Sequence, residues 1–141
     1  MRRNITLLLS KFKDLEEKLD KETLKQDFIK TRVLWGEYTS TYRYKKANTI
    51  HDKCAKIMND IWRLPDKGEG LLSSLLDHEN EFVRLGASCH LLSLNEESAK
   101  VVLKQLIKTT KSYDIEFNAE NILIEWDEGR LENVRNRKNE L

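Results

Sequence analysis

The chain has 141 residues, a length that suffices for one domain with a modest core but not for two well-packed domains. Charged residues make up 35% of it and hydrophobic residues 39%, with five glycines and one proline, which is typical of a soluble, helix-rich protein and excludes a β-sandwich, whose strands need frequent turn residues. The net charge of +1 by itself predicts no polyanionic partner.

The amino-terminal part of the chain, residues 4–64, reads as a series of helices. Apolar residues recur at three- and four-residue steps from residue 4 to about residue 20, among lysines and glutamates, which predicts an amphipathic helix. Asp20 is a suitable N-cap for a second helix, which we expect to end in a loop near residues 39–44. A third helix follows and stops at residues 65–68, where a proline and a glycine occur together.

Residues 68–129 alternate short apolar segments with residues that cap helices, which predicts two further helical hairpins. Residues 130–141 contain few apolar groups, so we expect them to form a frayed tail. The capping residues are Asn80, Asn95 and Ser112 at helix starts and Gly129 after the last helix.

A repeat runs through these segments at a step of 32 residues. Residues 51–55, 83–87 and 115–119 align so that Ala55, Ala87 and Ala119 share one register. Helical hairpins that repeat at this period form an α-solenoid, in which a small residue lets neighbouring helices approach closely. We therefore predict an all-α fold, a single domain of residues 1–141 with about seven helices. An antiparallel helical bundle whose apolar positions align by chance is the alternative.

Residues 80–87 are similar to the second helix of a HEAT-type repeat, in which an acidic or amide residue opens the helix and Val-Arg precedes a small residue. Over roughly residues 20–130 the chain resembles the bacterial family called domain of unknown function 2019. The other motifs that carry this resemblance are Gly36-Glu37, Tyr44-Lys45-Lys46-Ala47-Asn48, His51-Asp52-Lys53, Ala119 and Trp126-Asp127-Glu128-Gly129.

The resemblance implies a short α-solenoid of HEAT-like helical hairpins. Relatives in that family are encoded beside polymorphic toxins and look like immunity proteins of contact-dependent growth inhibition systems. The resemblance therefore implies a bacterial protein that binds a cognate toxin and neutralises it by stoichiometric occlusion.

The charge distribution agrees with a basic protein partner. Residues 1–67 carry 16 basic and 10 acidic residues, whereas residues 68–141 carry 9 basic and 14 acidic residues. An acidic inhibitor associates quickly with a basic toxin, such as a nuclease, through electrostatic steering. Acids also stabilise helix N-termini, so about half of those in the second part need no partner to explain them. The residues predicted to bind the partner are Glu81, Arg84, Asp114, Glu116 and Glu120.

Arg84 and Trp126 also have structural interpretations. Arg84 has the register position that Asp52 and Glu116 have in the other copies, so stacked helices would let Arg84 bridge both acids. Trp126 is predicted to support the last repeat from within.

Two other functions fit the sequence. Residues 35–46 contain four aromatic rings among arginine and lysine side chains, a combination that binds nucleic acid by stacking bases and contacting phosphates. Packing of these rings in the core, with the lysines in solvent, is the structural alternative. An adaptor whose partner is not a toxin is the third hypothesis.

Catalysis and cofactor binding have no support in the sequence. It contains no glycine-rich phosphate loop, no nucleophile elbow and no paired-histidine zinc motif. His51, Cys54, Cys89 and His90 are of the types that bind zinc, but residues 89 and 90 point about 100° apart on a helix. We therefore expect no enzyme activity, no cofactor and no metal site.

The cellular location follows from two absences in the sequence. Two cysteines do not make a disulfide framework, and the apolar run of residues 5–9 is too short for a secretory signal or a membrane span. We expect a cytoplasmic protein without a membrane partner.

Overall fold

Helices contain most of residues 2–136, the part of the chain that this computed structural model describes, with side chains from Asn4 onward. No strand occurs among these residues, so the predicted all-α class is confirmed. The helices of this part are α1 (Arg2–Ser40), α2 (Tyr44–Trp62), α3 (Glu69–Ser73), α4 (Glu81–Leu91), α5 (Glu96–Thr109), α6 (Tyr113–Asp127) and α7 (Glu132–Arg135).

The first helix differs from the prediction, which divided it at Asp20. It is one continuous helix of 39 residues. Residues 14–30 contain no glycine or proline and are rich in lysine, glutamate and leucine, all good helix formers, so nothing ends the helix at Asp20. The helix number of about seven nevertheless agrees, since the described residues also include α7, which was not predicted.

The predicted frayed tail is wrong for the residues up to 136. Gly129 has a left-handed φ of 81°, and the N–H groups of Gly129 and Arg130 donate to the carbonyls of Trp126 and Glu125, so the chain turns back at the end of α6. Val134 of α7 then reaches the core, where it is 1% exposed. The remainder of the predicted tail, residues 137–141, lies outside the described residues.

The N-caps predicted for α4, α5 and α6 are confirmed, whereas that at Asp20 is not. The side chain of Asn80 accepts from the N–H groups of Phe82 and Val83, Asn95 accepts from Ser98, and Ser112 accepts from Ile115.

The break at residues 65–68 is a tight turn. Gly68 adopts a φ of 84°, and the Asp66 carboxylate accepts from the N–H groups of Gly68 and Gly70. Desolvation raises the pKa of Asp66, but these two hydrogen bonds, the charge of Lys21 and a hydrogen bond to its own backbone together lower the pKa below its ordinary value.

Two hairpins, α3–α4 and α5–α6, follow the α1–α2 pair, and α4 contacts both α1 and α6. Ala87 and Ala119 are completely buried on α4 and α6, as the repeat predicts. The register of the first copy is wrong, because Ala55 is exposed on α2. Of the two helices in the first pair, α1 packs against α4, so the position equivalent to a second repeat helix is occupied by α1 and not by α2.

Two glycines allow this close contact between α1 and α4. A Cβ atom added to Gly36 would lie 2.3 Å from the ring of Phe82. One added to Gly86 would lie 2.4 Å from Nε of Arg32. The carboxyl half of α1 is thereby fixed on the hairpins, and Phe28, Met58, Leu72, Leu91 and Leu103 are among the side chains of the resulting core.

The amino half of α1 projects from this body, and its residues 14–21 line a groove with Arg63, Leu64 and Pro65 just after α2. Every side chain from Asn4 to Thr23 is exposed, and burial begins at Leu24. Within the described range, no helix is both long enough and apolar enough to cross a membrane.

Candidate functional site

The outward face of α6 combines exposed aromatic rings with carboxylates. Tyr113 is 75% exposed, and Phe117 and Ile124 are each 50% exposed. The spacing of four and seven residues places all three on one side of the helix. The rings of Tyr113 and Phe117 stack with centroids 5.7 Å apart and planes 20° apart. This face therefore offers an apolar surface to solvent.

The predicted acids Glu116 and Glu120 lie beside these rings and are exposed. Glu120 is in the middle of α6, where the helix dipole gives no reason for an acid. Asp114 and Glu116 lie in the first turn of α6, where the positive end of the helix dipole stabilises carboxylates. Asp114 is half-buried, and its carbonyl accepts from Asn118 at 2.7 Å. We define the α6 surface as Tyr113, Glu116, Phe117, Glu120 and Ile124.

Glu81 and Arg84, the other two predicted binding residues, lie on α4 and are half-buried. Oε2 of Glu81 and Nε of Arg84 are buried and have no hydrogen-bond partner within the described part of the chain. Among the ion pairs of that part, none joins Arg84 to Asp52 or Glu116, so the predicted bridge between stacked helices is wrong. Asp52 lies on α2, the helix that the misaligned first repeat placed beside α4.

Trp126 supports the last hairpin from within. It is 8% exposed, its Nε1 donates to Oε1 of Glu96 at 2.8 Å, and the guanidinium of Arg135 lies 3.9 Å from the ring centroid. The hydrogen bond from Trp126, followed by that from Lys100, lowers the pKa of Glu96. Lys100 also pairs with Asp127 at 3.0 Å, which ties the start of α5 to the end of α6.

A groove of about 210 Å³ lies where α1, α2, α4, α6 and α7 meet. Arg32 lies on it with Nε donating to the carbonyl of Phe82 at 3.1 Å and its guanidinium 4.6 Å from the ring centroid of Trp35. Desolvation by burial lowers the pKa of Arg32.

The groove also brings together three of the four residues considered as zinc ligands, His51, Cys89 and His90. Within residues 2–136, however, no group of three or more histidine, cysteine or acidic side chains has a geometry that could hold a metal ion.

The aromatic rings of the basic aromatic segment, residues 35–46, differ in exposure, and Trp35 is half-buried. Trp35 packs edge-on against Phe82, with centroids 5.8 Å apart. Tyr42 and Tyr44 are exposed at the turn between α1 and α2, and their rings contact each other edge-on at 6.2 Å. The lysines at positions 45 and 46 are exposed beside them.

The sequence interpretation missed the apolar part of the α6 surface. It gave neither Phe117 nor Tyr113 a role. A usable signal was present, since positions 113, 117 and 124 share one face of the helix while Ile115, Ala119 and Trp126 define the buried face.

One similar solved structure comes from Rhodopseudomonas palustris CGA009, the crystal structure of the protein RPA1889. It has a TM-score of 0.71 and 21% sequence identity, and the match covers 77% of this chain and 89% of that chain. At this identity the likeness shows the fold alone. No protein-family model and no curated protein sequence matches this chain, so its resemblance to the domain of unknown function 2019 family stays a prediction.

Proposed function

We propose that this chain is a protein-binding inhibitor, an immunity protein that acts in the bacterial cytoplasm and neutralises a toxin by covering its active surface. The observation that carries the proposal is the α6 surface, where the stacked rings of Tyr113 and Phe117 lie in solvent beside Glu116 and Glu120. Aromatic side chains are enriched where binding energy is concentrated in protein interfaces. Carboxylates beside them accelerate encounter with a basic partner.

The family resemblance supplies the identity of the partner. A toxin that cleaves nucleic acid needs a basic substrate channel, and an acidic inhibitor surface complements such a channel. Inhibition by occlusion requires no chemistry from the inhibitor, which agrees with the absence of catalytic motifs from the sequence.

The test is co-expression of this chain with the protein encoded beside its gene. We expect the wild-type chain to protect cells from that protein and to form a one-to-one complex with it. Absence of protection and of a complex would contradict the proposed function. Capture of a partner that is not toxic would favour the adaptor hypothesis instead.

The α6 surface is tested by the double substitution Glu116→Lys and Glu120→Lys. We expect association with the toxin to slow by roughly tenfold at low salt and protection to weaken, because the steering charges are reversed. Asp52→Lys, an exposed acid on α2, is the control and should leave the association rate within about twofold. An unchanged rate in the double variant would remove these acids from the mechanism.

Nucleic-acid binding is the second candidate, favoured by the exposure of Tyr42 and Tyr44 beside Lys45 and Lys46. It is tested by gel shift of short RNA and DNA. Phosphate-driven binding is strong at about 50 mM salt and falls steeply as salt rises. Absence of a shift at the low salt concentration contradicts this candidate.

A further inference from the structure

The projecting half of α1 carries an apolar stripe that no described residue covers. It consists of Ile5, Leu8, Phe12, Leu15 and Leu19, each between 52% and 60% exposed. The spacings are three, four, three and four residues, which is the alternation of the a and d positions of a coiled coil. A solvent-exposed helix gains nothing from this pattern by itself, and the a and d spacing is the one that packs against another helix in coiled coils.

The body of the same molecule cannot cover this stripe. Leu19 precedes Phe28 by nine residues, which is two and a half turns at 3.6 residues per turn, so these two side chains lie on opposite sides of α1. Phe28 faces the core. The helix is continuous between them and contains no glycine or proline at which it could fold back. None of the residues in the described body can therefore cover the stripe.

The charges beside the stripe select the partner and its direction. With Ile5 at position a, Lys11 and Lys18 occupy the g positions on one flank, and Glu16 occupies an e position on the other. In a parallel pair of identical helices, Lys11 of each copy faces Glu16 of the other, giving two attractive contacts. In an antiparallel pair the g flanks face each other, which brings lysine against lysine.

We propose that the chain forms a parallel homodimer through the apolar stripe of α1. The geometry accommodates two bodies, because each body is attached to the side of α1 opposite the stripe and so lies on the outside of the pair. The α6 surface belongs to a different helix, so self-association and the proposed partner binding are separate properties.

The first experiment measures the molar mass of the full chain by sedimentation equilibrium. Because the dimer population follows mass action, protein concentrations extend to about 0.5 mM. We expect the wild type to shift from monomer to dimer over this range. Leu8→Glu and Leu15→Glu together should weaken dimerisation by about a hundredfold or more, since each copy loses two buried leucines.

The matched control is Leu7→Glu. Leu7 is 61% exposed and adjacent to Leu8, but it lies at position c, off the stripe. We expect this control to dimerise within about threefold of the wild type, as off-seam positions contribute little. If Leu7→Glu weakened dimerisation as much as the Leu8→Glu, Leu15→Glu variant, non-specific hydrophobic association, and not the stripe, would be the cause.

The second experiment tests the parallel arrangement by charge exchange. Lys11→Glu alone and Glu16→Lys alone each place like charges opposite each other in a parallel homodimer, so each should dimerise more weakly than the wild type. A mixture of the two variants restores both attractive contacts and should form the mixed dimer preferentially. Single variants that dimerise as well as the wild type would contradict the parallel arrangement, because an antiparallel pair already places like-charged flanks against each other in the wild type.

Two other outcomes overturn the proposal. One is a wild-type chain that stays monomeric throughout the concentration range. The other is a monomer whose stripe binds vesicles containing phosphatidylserine and loses that binding in the Leu8→Glu, Leu15→Glu variant, which would make the occupant a lipid surface. Thermal unfolding of each variant shows whether the body stays intact, as expected for positions without body contacts.

Discussion

The two halves of α1 carry similar amphipathic patterns but have opposite surroundings. Phe12 in the amino half is 57% exposed, whereas Phe28 in the carboxyl half is 1% exposed. The difference arises from length, since α1 has 39 residues and α2, which packs along it, has 19. An apolar face thus identifies a helix that needs a partner, and the lengths of its neighbours decide which part receives one.

The largest expected effect comes from truncating one phenylalanine in each half. Phe28→Ala should lower the free energy of unfolding by about 3–5 kcal/mol, because it leaves a cavity in the core. Phe12→Ala should change it by less than about 0.5 kcal/mol when measured on the monomer. Urea unfolding at low protein concentration gives both values. Equal losses would mean that the projecting half packs on the body.

A smaller effect is expected from Gly36→Ala, which tests how the carboxyl half is fixed to α4. The new Cβ meets the Phe82 ring at 2.3 Å, so the ring must move. We expect a loss of about 1–2 kcal/mol, since overpacking outweighs the better helix propensity of alanine. Ser10→Ala in the projecting half is the control. A stability gain for Gly36→Ala would show that α1 and α4 separate easily.

The smallest effect concerns the hydrogen bond between Trp126 and Glu96, which has no counterpart in the projecting half. The pKa of Glu96 is lowered in the folded protein, so the carboxylate stabilises the fold above its ordinary pKa and this stabilisation is lost as the pH falls through the folded pKa. Glu96→Gln should therefore lower the melting temperature slightly at pH 7.

The difference in melting temperature between the wild type and Glu96→Gln should shrink as the pH falls below about 4, which is close to the ordinary pKa of glutamate. Glu17→Gln, on the projecting half, is the control. Scanning calorimetry at several pH values provides the measurement. A difference that stays constant with pH would show that the amide replaces the carboxylate fully.

The starts of several helices could be predicted from local sequence signals. Asn80, Asn95 and Ser112 start helices because their side chains satisfy backbone N–H groups that no other residue reaches. Asp20 was wrongly predicted as an N-cap. An aspartate within a run of good helix formers has the same side chain as a cap, but it can also lie inside a continuous helix. The structure shows that the backbone N–H groups after Asp20 donate within a continuous helix, so they need no side-chain cap.

Long-range packing could not be predicted from the repeat. Ala55 has the same sequence spacing as Ala87 and Ala119, but spacing does not reveal which helix packs against α4. The pairing of α4 with α1 depends on the close contacts at Gly36 and Gly86. These contacts are between residues about 50 positions apart in the sequence.

The candidate site was predicted in part. The exposed acids of α6 were identified by charge alone, while Glu81 and Arg84 are half-buried on another helix. Phe117 was missed because hydrophobicity alone predicts burial, whereas the helical periodicity of α6 separates Phe117 from the face of Ile115, Ala119 and Trp126.

The groove around Arg32 has a consequence for synthesis of the protein. One of its walls comes from Arg32 and Trp35, and another from Leu131 and Val134, about a hundred residues later in the chain. During translation the early wall leaves the ribosome long before the late one. The groove is therefore open on one side in every nascent chain that ends before Val134, and this side closes only when α7 docks.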